Sequence, residues 1–150
     1  MTNNYFLSKH GYFIEDLKIG QEANYEKKIL EKDIMDFSLV TGDSNPVHID
    51  DKFAKHTLFK KRIAHGFLSA SLISTVIATK LPGPGSVYLN QTLKFLAPVF
   101  IGDLVNAKVK VGEINLEKNR INLLTECFIA EKRILTGNAE ILVTSKADLK

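Results

Sequence analysis

The stretch GFLSASLISTVIATK, Gly66 to Lys80, constrains the fold more than any other, because Phe67, Leu68, Ala70, Leu72, Ile73, Val76, Ile77 and Ala78 leave it almost no polar face. A helix that is apolar nearly all round is predicted to be buried nearly all round. Its polar side chains are Ser and Thr, small enough to bond to carbonyls one turn back, and LPGPG at Leu81 to Gly85 ends it. The chain then changes period. In SVYLNQTLKFLAPV, Val87, Leu89, Leu93, Phe95 and Ala97 alternate with Ser86, Tyr88, Asn90, Thr92 and Lys94, which predicts a half-buried strand. The alternation recurs at Val105, Ala107, Val109 and Val111, at Ile121, Leu123, Cys127 and Ile129, and at Leu135, Ala139, Ile141 and Val143. Short links rich in Gly, Pro or charge favour antiparallel pairing of successive strands. Ala23 to Leu30 is predicted to add another strand. The expectation is an α+β fold in which a curved antiparallel sheet wraps a long central helix.

Ahead of that helix, EKDIMDFSLVTG places Ile34, Phe37 and Val40 at helical spacing with Gly42 at the end, which predicts a helix closed by glycine. DDKFAKHTLF reads as a second short helix capped by Asp50 or Asp51. The 150 residues suit one domain, 1–150, whose 45% apolar and 25% charged residues are those of a globular protein rather than a disordered one. Lys and Arg number 20 against 17 Asp and Glu, and the excess is dispersed. Nucleic acid is therefore not the expected partner. The first residues lack the pattern of a secretory signal and no long apolar run spans a membrane, so the expected location is the cytoplasm, where NQT at Asn90 carries no glycosylation. The one cysteine, Cys127, excludes an internal disulfide and reads as a buried hydrophobe.

The stretch TGDSNPVHID joins the two predicted helices. Pro46 pushes Asn45 out of helical conformation, so Asp43 and His48 are set by a turn rather than by helical spacing. A rigid turn can aim both at one point; the competing reading is a local turn around Asp43 and a core histidine at 48. AHGF puts His65 and Gly66 just ahead of the central helix, where free amides and the helix dipole receive negative charge and glycine admits a close ligand. An acid, a base and an amide donor together suit proton transfer beside a thioester carbonyl. His10, His48, His56 and His65 have no zinc-ligand spacing, and neither a phosphate loop nor a nucleophile elbow is present. No metal and no cofactor are expected. Lys60, Lys61 and Arg62 form the only basic cluster, read either as a solvated loop or as a phosphate contact.

Together, SLVTGDSNPVHID, RIAHGFLSASLIS and LPGPGSVYLNQTLKFLAPVFIGD resemble the MaoC-like, (R)-specific enoyl-CoA hydratases of the hot-dog fold, over roughly Asp33 to Val111. The resemblance implies that Asp43 and His48 are the catalytic pair and that the Gly66 amide is the oxyanion donor. It associates Ser74, further along the helix, with the site, against a reading of Ser74 as bonded one turn back. Asn45 matches the loop asparagine, read either as a substrate-side position or as structural only, and His65, the residue before the glycine, is read as a substrate-side position. It further implies a homodimer with sheets joined edge to edge and an acyl-CoA or acyl carrier protein thioester as partner; the charge of Lys60, Lys61 and Arg62 and their nearness to His65 place them, on this reading, near the CoA phosphates. The alternatives are a thioesterase of the same fold, disfavoured because the central helix lacks Asp and Glu, and an acyl-thioester binding module without catalysis, disfavoured because Asp43 and His48 are both present.

Overall fold

The computed structural model describes residues 4–149. Six strands make one antiparallel sheet: β1 (Glu22–Lys28), β2 (Val87–Gln91), β3 (Lys94–Phe95), β4 (Leu104–Asn115), β5 (Arg120–Ile129) and β6 (Lys132–Leu142), in the order β1-β4-β5-β6-β2 with β3 also on β6. The α+β expectation holds. Inward side chains meet across the ladders as the alternation requires, with Ala107 opposite Cys127, Cys127 opposite Leu135, and Leu123 opposite Ala139. Each is buried, so a register slip of one residue would turn this whole face to water. Burial pushes the Cys127 thiol up to about 12, which keeps it neutral and unreactive.

After a short N-terminal helix, α1 (Asn4–Lys9), the helices are α2 (Glu31–Thr41), α3 (Pro46–Ile49), α4 (Asp51–Ala54) and α5 (Gly66–Thr79). On α5, Leu68, Leu72, Ile73, Val76 and Ile77 form the buried stripe that packs on the sheet, each side chain contributing about 1.5–3 kcal/mol when fully buried. The expectation of burial nearly all round fails on the opposite face, where Phe67, Ser71, Ser74 and Ala78 are exposed. One sheet covers one face of a helix, and nothing among the described residues covers the other.

The predicted strand over Val87 to Ala97 breaks into two pieces. Thr92 exchanges bonds with Asn138 instead of continuing the ladder, and Gly137 has no side chain because a Cβ there would meet the Thr92 carbonyl oxygen at 1.8 Å. This strand pair lies beside β6, not beside β4, so the link after it crosses the sheet rather than making a tight turn. It is an edge, and the predicted inward residues Val87, Leu89 and Phe95 are exposed.

Candidate active site

The loop after α2 is built by successive local bonds. Gly42 takes φ +78° and its amide donates to the Ser38 carbonyl, closing the helix in the left-handed conformation that glycine reaches without a Cβ penalty. The Asn45 amide then donates to Asp43 Oδ1 at 3.2 Å, and the Val47 amide to Asn45 Oδ1 at 3.2 Å. Pro46 occupies the first turn of α3, where its missing N–H costs nothing. Asn45 therefore caps α3, which agrees with the structural reading of the loop asparagine.

His48 emerges from α3 with its Nδ1–H donating to the Ile63 carbonyl at 2.8 Å. A carbonyl only accepts, so Nδ1 carries the proton and the neutral ring presents a bare Nε2. Burial holds the His48 pKa below the ordinary imidazole value, with the His65 ring adding to the effect, while the Ile63 carbonyl and Asp43 oppose it. Ile63 is held in turn by a bridge to Phe100, and the Ala64 amide donates to the Val99 carbonyl at 2.7 Å. The segment leading into α5 is thus fixed to the strand side of the fold.

His65 is 2% exposed and lies between Phe37 and His48, with ring centroids at 4.9 and 3.9 Å. Its Nε2–H donates to the main-chain carbonyl of Asp43 at 3.0 Å. It holds the Asp43 turn against His48 and does not line the cavity, which corrects its expected contact with substrate. Asp43, His48 and His65 bring their ligand atoms within 4.8 Å of one another; the turn foreshadowed the meeting of Asp43 and His48, but nothing in the spacing signalled that His65 joins them. The two ring planes are tilted to each other by 32°.

His48, Gly66 and Ser69 face a cavity of about 310 Å³ whose remaining wall is apolar, including Phe59, Leu96, Val99, Ile134 and Leu135. The Gly66 amide, in the first turn of α5, has no carbonyl four residues back to bond within the helix. A Cβ at Gly66 would come within 2.8 Å of the Phe95 ring, so glycine is what lets that ring close over the helix start. Ser69 is 2% exposed, and neither its Oγ nor His65 Nδ1 has a hydrogen-bond partner among the described residues. A buried hydroxyl left unpaired costs about 1–3 kcal/mol.

Ser74 does not join this group. It lies about 12 Å further along α5 than Gly66 at ~1.5 Å per residue, on the exposed face. The serine in the cavity is Ser69, one turn from Gly66, a spacing that helix geometry makes legible. Arg62 is also placed elsewhere: its guanidinium bonds Glu31 and Asp51, both at 2.8 Å, with only 10% of the side chain exposed. Those two carboxylates take two of the five guanidinium N–H donors and pair its charge, so what the structure shows at Arg62 is an ion pair within the chain. Lys60 and Lys61 are exposed beside Phe59, and no helix among the described residues is long and apolar enough to cross a membrane.

Comparison with known proteins places this geometry. A family model described as "MaoC like domain" matches residues 15–130. An (R)-specific enoyl-CoA hydratase of Rhodospirillum rubrum is 46% identical over 90% of this chain and 94% of its own length. A 3-hydroxybutyryl-CoA dehydratase of Methylorubrum extorquens is 44% identical over 91% of this chain and 87% of its own. Among solved structures, the R-hydratase PhaJ1 of Pseudomonas aeruginosa, unliganded, superposes with a TM-score of 0.85 at 46% identity, covering 91% of this chain and 88% of that one.

Proposed function

The chain belongs to the MaoC-like dehydratase family, and we propose from that premise that it is an (R)-specific enoyl-CoA hydratase, adding water reversibly to a trans-2-enoyl-CoA. The observation that carries the reading is the convergence of Asp43 and His48, their ligand atoms within 4.8 Å, with His48 also lining an apolar cavity that Gly66 shares.

In this reading one water sits between the Asp43 carboxylate and His48 Nε2. Its oxygen bonds to C3 of the enoyl group while its proton passes to Nε2. The carbon–carbon double bond becomes the enolate of the thioester, whose oxygen takes up negative charge. The Gly66 amide and the positive end of α5 stabilise that oxygen, an effect of about 10² to 10³ in rate per donor. The imidazolium then returns its proton to C2. Hydrogen and hydroxyl arrive from the same face, and His48 ends neutral. Asp43 orients the water and stabilises the transient imidazolium, as a carboxylate does for histidine in other general-base sites.

The acyl chain occupies the apolar cavity, and Lys60 and Lys61 offer exposed cations for the CoA phosphates. A second copy of the chain covers the sheet edge. At β2 and β3, Val87, Tyr88, Leu89, Phe95 and Leu96 are exposed, whereas the opposite edge, β1, carries Glu22, Glu26, Lys27 and Lys28, charges that discourage pairing. Sedimentation velocity is expected to give a dimer that Leu89→Lys dissociates; a wild-type monomer at micromolar concentration would remove this part of the reading.

The function is tested by following the enoyl-thioester absorbance of crotonyl-CoA with chiral analysis of the product. Loss of the band with formation of (R)-3-hydroxybutyryl-CoA supports the reading. Release of free CoA thiol would favour a thioesterase, and binding without turnover of short or long enoyl chains would leave only an acyl-thioester binding module.

A further inference from the structure

We propose that the Ser69 hydroxyl is a second hydrogen-bond donor to the thioester oxygen held by the Gly66 amide. The inference rests on the hydratase reading for the identity of the substrate, but its geometry belongs to the cavity itself.

The other hydroxyls of α5 show what Ser69 declines to do. Ser71 donates to the Leu68 carbonyl at 2.6 Å, Thr75 to the Ser71 carbonyl at 3.4 Å, and Thr79 to the Thr75 carbonyl at 2.6 Å. Such bonds to the preceding turn are the usual resort of a helical hydroxyl. Ser69 has the same turn behind it and forms no such bond, although it is 2% exposed and no solvent can substitute. Ser69 is instead one of the residues that line the cavity holding His48 and Gly66.

Helix geometry sets the relation to Gly66. Residues one turn apart share a face, and helical side chains lean toward the N-terminus, over the turn before their own Cα. The Ser69 hydroxyl therefore projects back toward the start of α5, where the Gly66 N–H is free. One ligand oxygen lying over that turn meets a backbone amide and a hydroxyl together. The surrounding wall, with Val99, Ile134 and Leu135, is apolar, which suits a neutral carbonyl that gains charge only during reaction and strengthens each donor as it does so. The one other buried polar side-chain atom without a partner among the described residues is His65 Nδ1, an acceptor. Were Ser69 to serve that nitrogen, its role would be to hold the imidazole pair and not to touch substrate.

The experiment uses the full chain and butyryl-CoA labelled with ¹³C at the thioester carbonyl, a saturated ligand that does not react. Infrared difference spectra report the carbonyl stretch of the bound ligand, which falls in frequency with each donor. Wild type, Ser69→Ala and Ser69→Thr are compared, alongside kcat and KM for crotonyl-CoA. The expected result is that Ser69→Ala moves the bound band back toward its position in water and lowers kcat about 10²-fold, with KM changed by less than about threefold, because the contact strengthens in the transition state. Ser69→Thr, which keeps the hydroxyl, retains the wild-type band. An identical band in wild type and Ser69→Ala would overturn the proposal, and a kcat loss with an unchanged band and a displaced pH profile would assign Ser69 to His65 instead. If wild type leaves crotonyl-CoA unchanged while the band still depends on Ser69, the donor stands and the hydratase reading falls. Failure of butyryl-CoA to bind would overturn both.

Discussion

His65 Nε2–H donates to the main-chain carbonyl of Asp43 at 3.0 Å while its ring packs, tilted, against His48 with centroids 3.9 Å apart. One buried side chain thereby ties the loop bearing Asp43 to the imidazole that works with it. Replacing it affects both geometry and stability. His65→Ala is expected to lower kcat/KM for crotonyl-CoA by at least about tenfold and to cost about 1–3 kcal/mol for the lost bond and packing. Denaturant melts and steady-state kinetics on the same preparation check this, and wild-type kinetics in the variant would show that the loop is held by other means.

Gly66 and Phe95 form a second coupled pair. A methyl group at Gly66 meets the Phe95 ring at 2.8 Å, so Gly66→Ala must displace the ring or tilt the helix start. Kinetics should show lower kcat/KM in Gly66→Ala and partial recovery when Phe95→Leu is added. An additive double variant would mean that the ring does not transmit the change.

The titration of His48 gives a pH prediction with a definite sign. Burial depresses its folded-state pKa below the ordinary value of about 6.5, so as pH falls the unfolded chain binds the proton first. Stability from the neutral buried ring is complete above about 6.5 and is lost as pH falls through the lowered folded value. Denaturation midpoints between pH 7.5 and 5 should therefore decline, and His48→Gln should flatten part of that slope. The acid limb of kcat/KM should likewise lie below the ordinary imidazole range; a limb above it would contradict the environment seen here.

Arg62 separates a structural ion pair from a ligand contact. Its two carboxylates come from α2 and α4, and Glu31 and Asp51 are themselves largely exposed, so each pair is worth about 0–1 kcal/mol. Arg62→Ala should lower stability by a comparable amount and leave KM for crotonyl-CoA essentially unchanged. An increase in KM at wild-type stability would restore the phosphate role.

The parts of this fold legible from sequence were those governed by periodicity and punctuation. Val105 to Val111, Ile121 to Ile129 and Leu135 to Val143 alternate because one face meets α5, and Gly42 ends α2 because its conformation calls for glycine. Contacts between distant segments left no such mark. The break at Thr92 depends on Gly137, a residue of another strand, and the exposed face of α5 depends on what the chain does not bring near it. At the site, the turn through Asn45 and Pro46 was readable, whereas the packing of the His65 ring against His48 and the carboxylates on Arg62 are products of tertiary structure. Ser69 was the accessible omission: its spacing from Gly66 places it in the same turn, but nothing local marks its hydroxyl as the one left without a carbonyl.

The most direct test of the central claim, that Asp43 and His48 act as a unit on one water, is a double-mutant cycle on crotonyl-CoA hydration with Asp43→Asn, His48→Gln and the combined variant. The account predicts a loss of at least about 10³ in kcat for each single variant and little further loss in the double, because residues that act together are not additive. Wild-type hydration that survives in either single variant, or losses that multiply in the double, would contradict it.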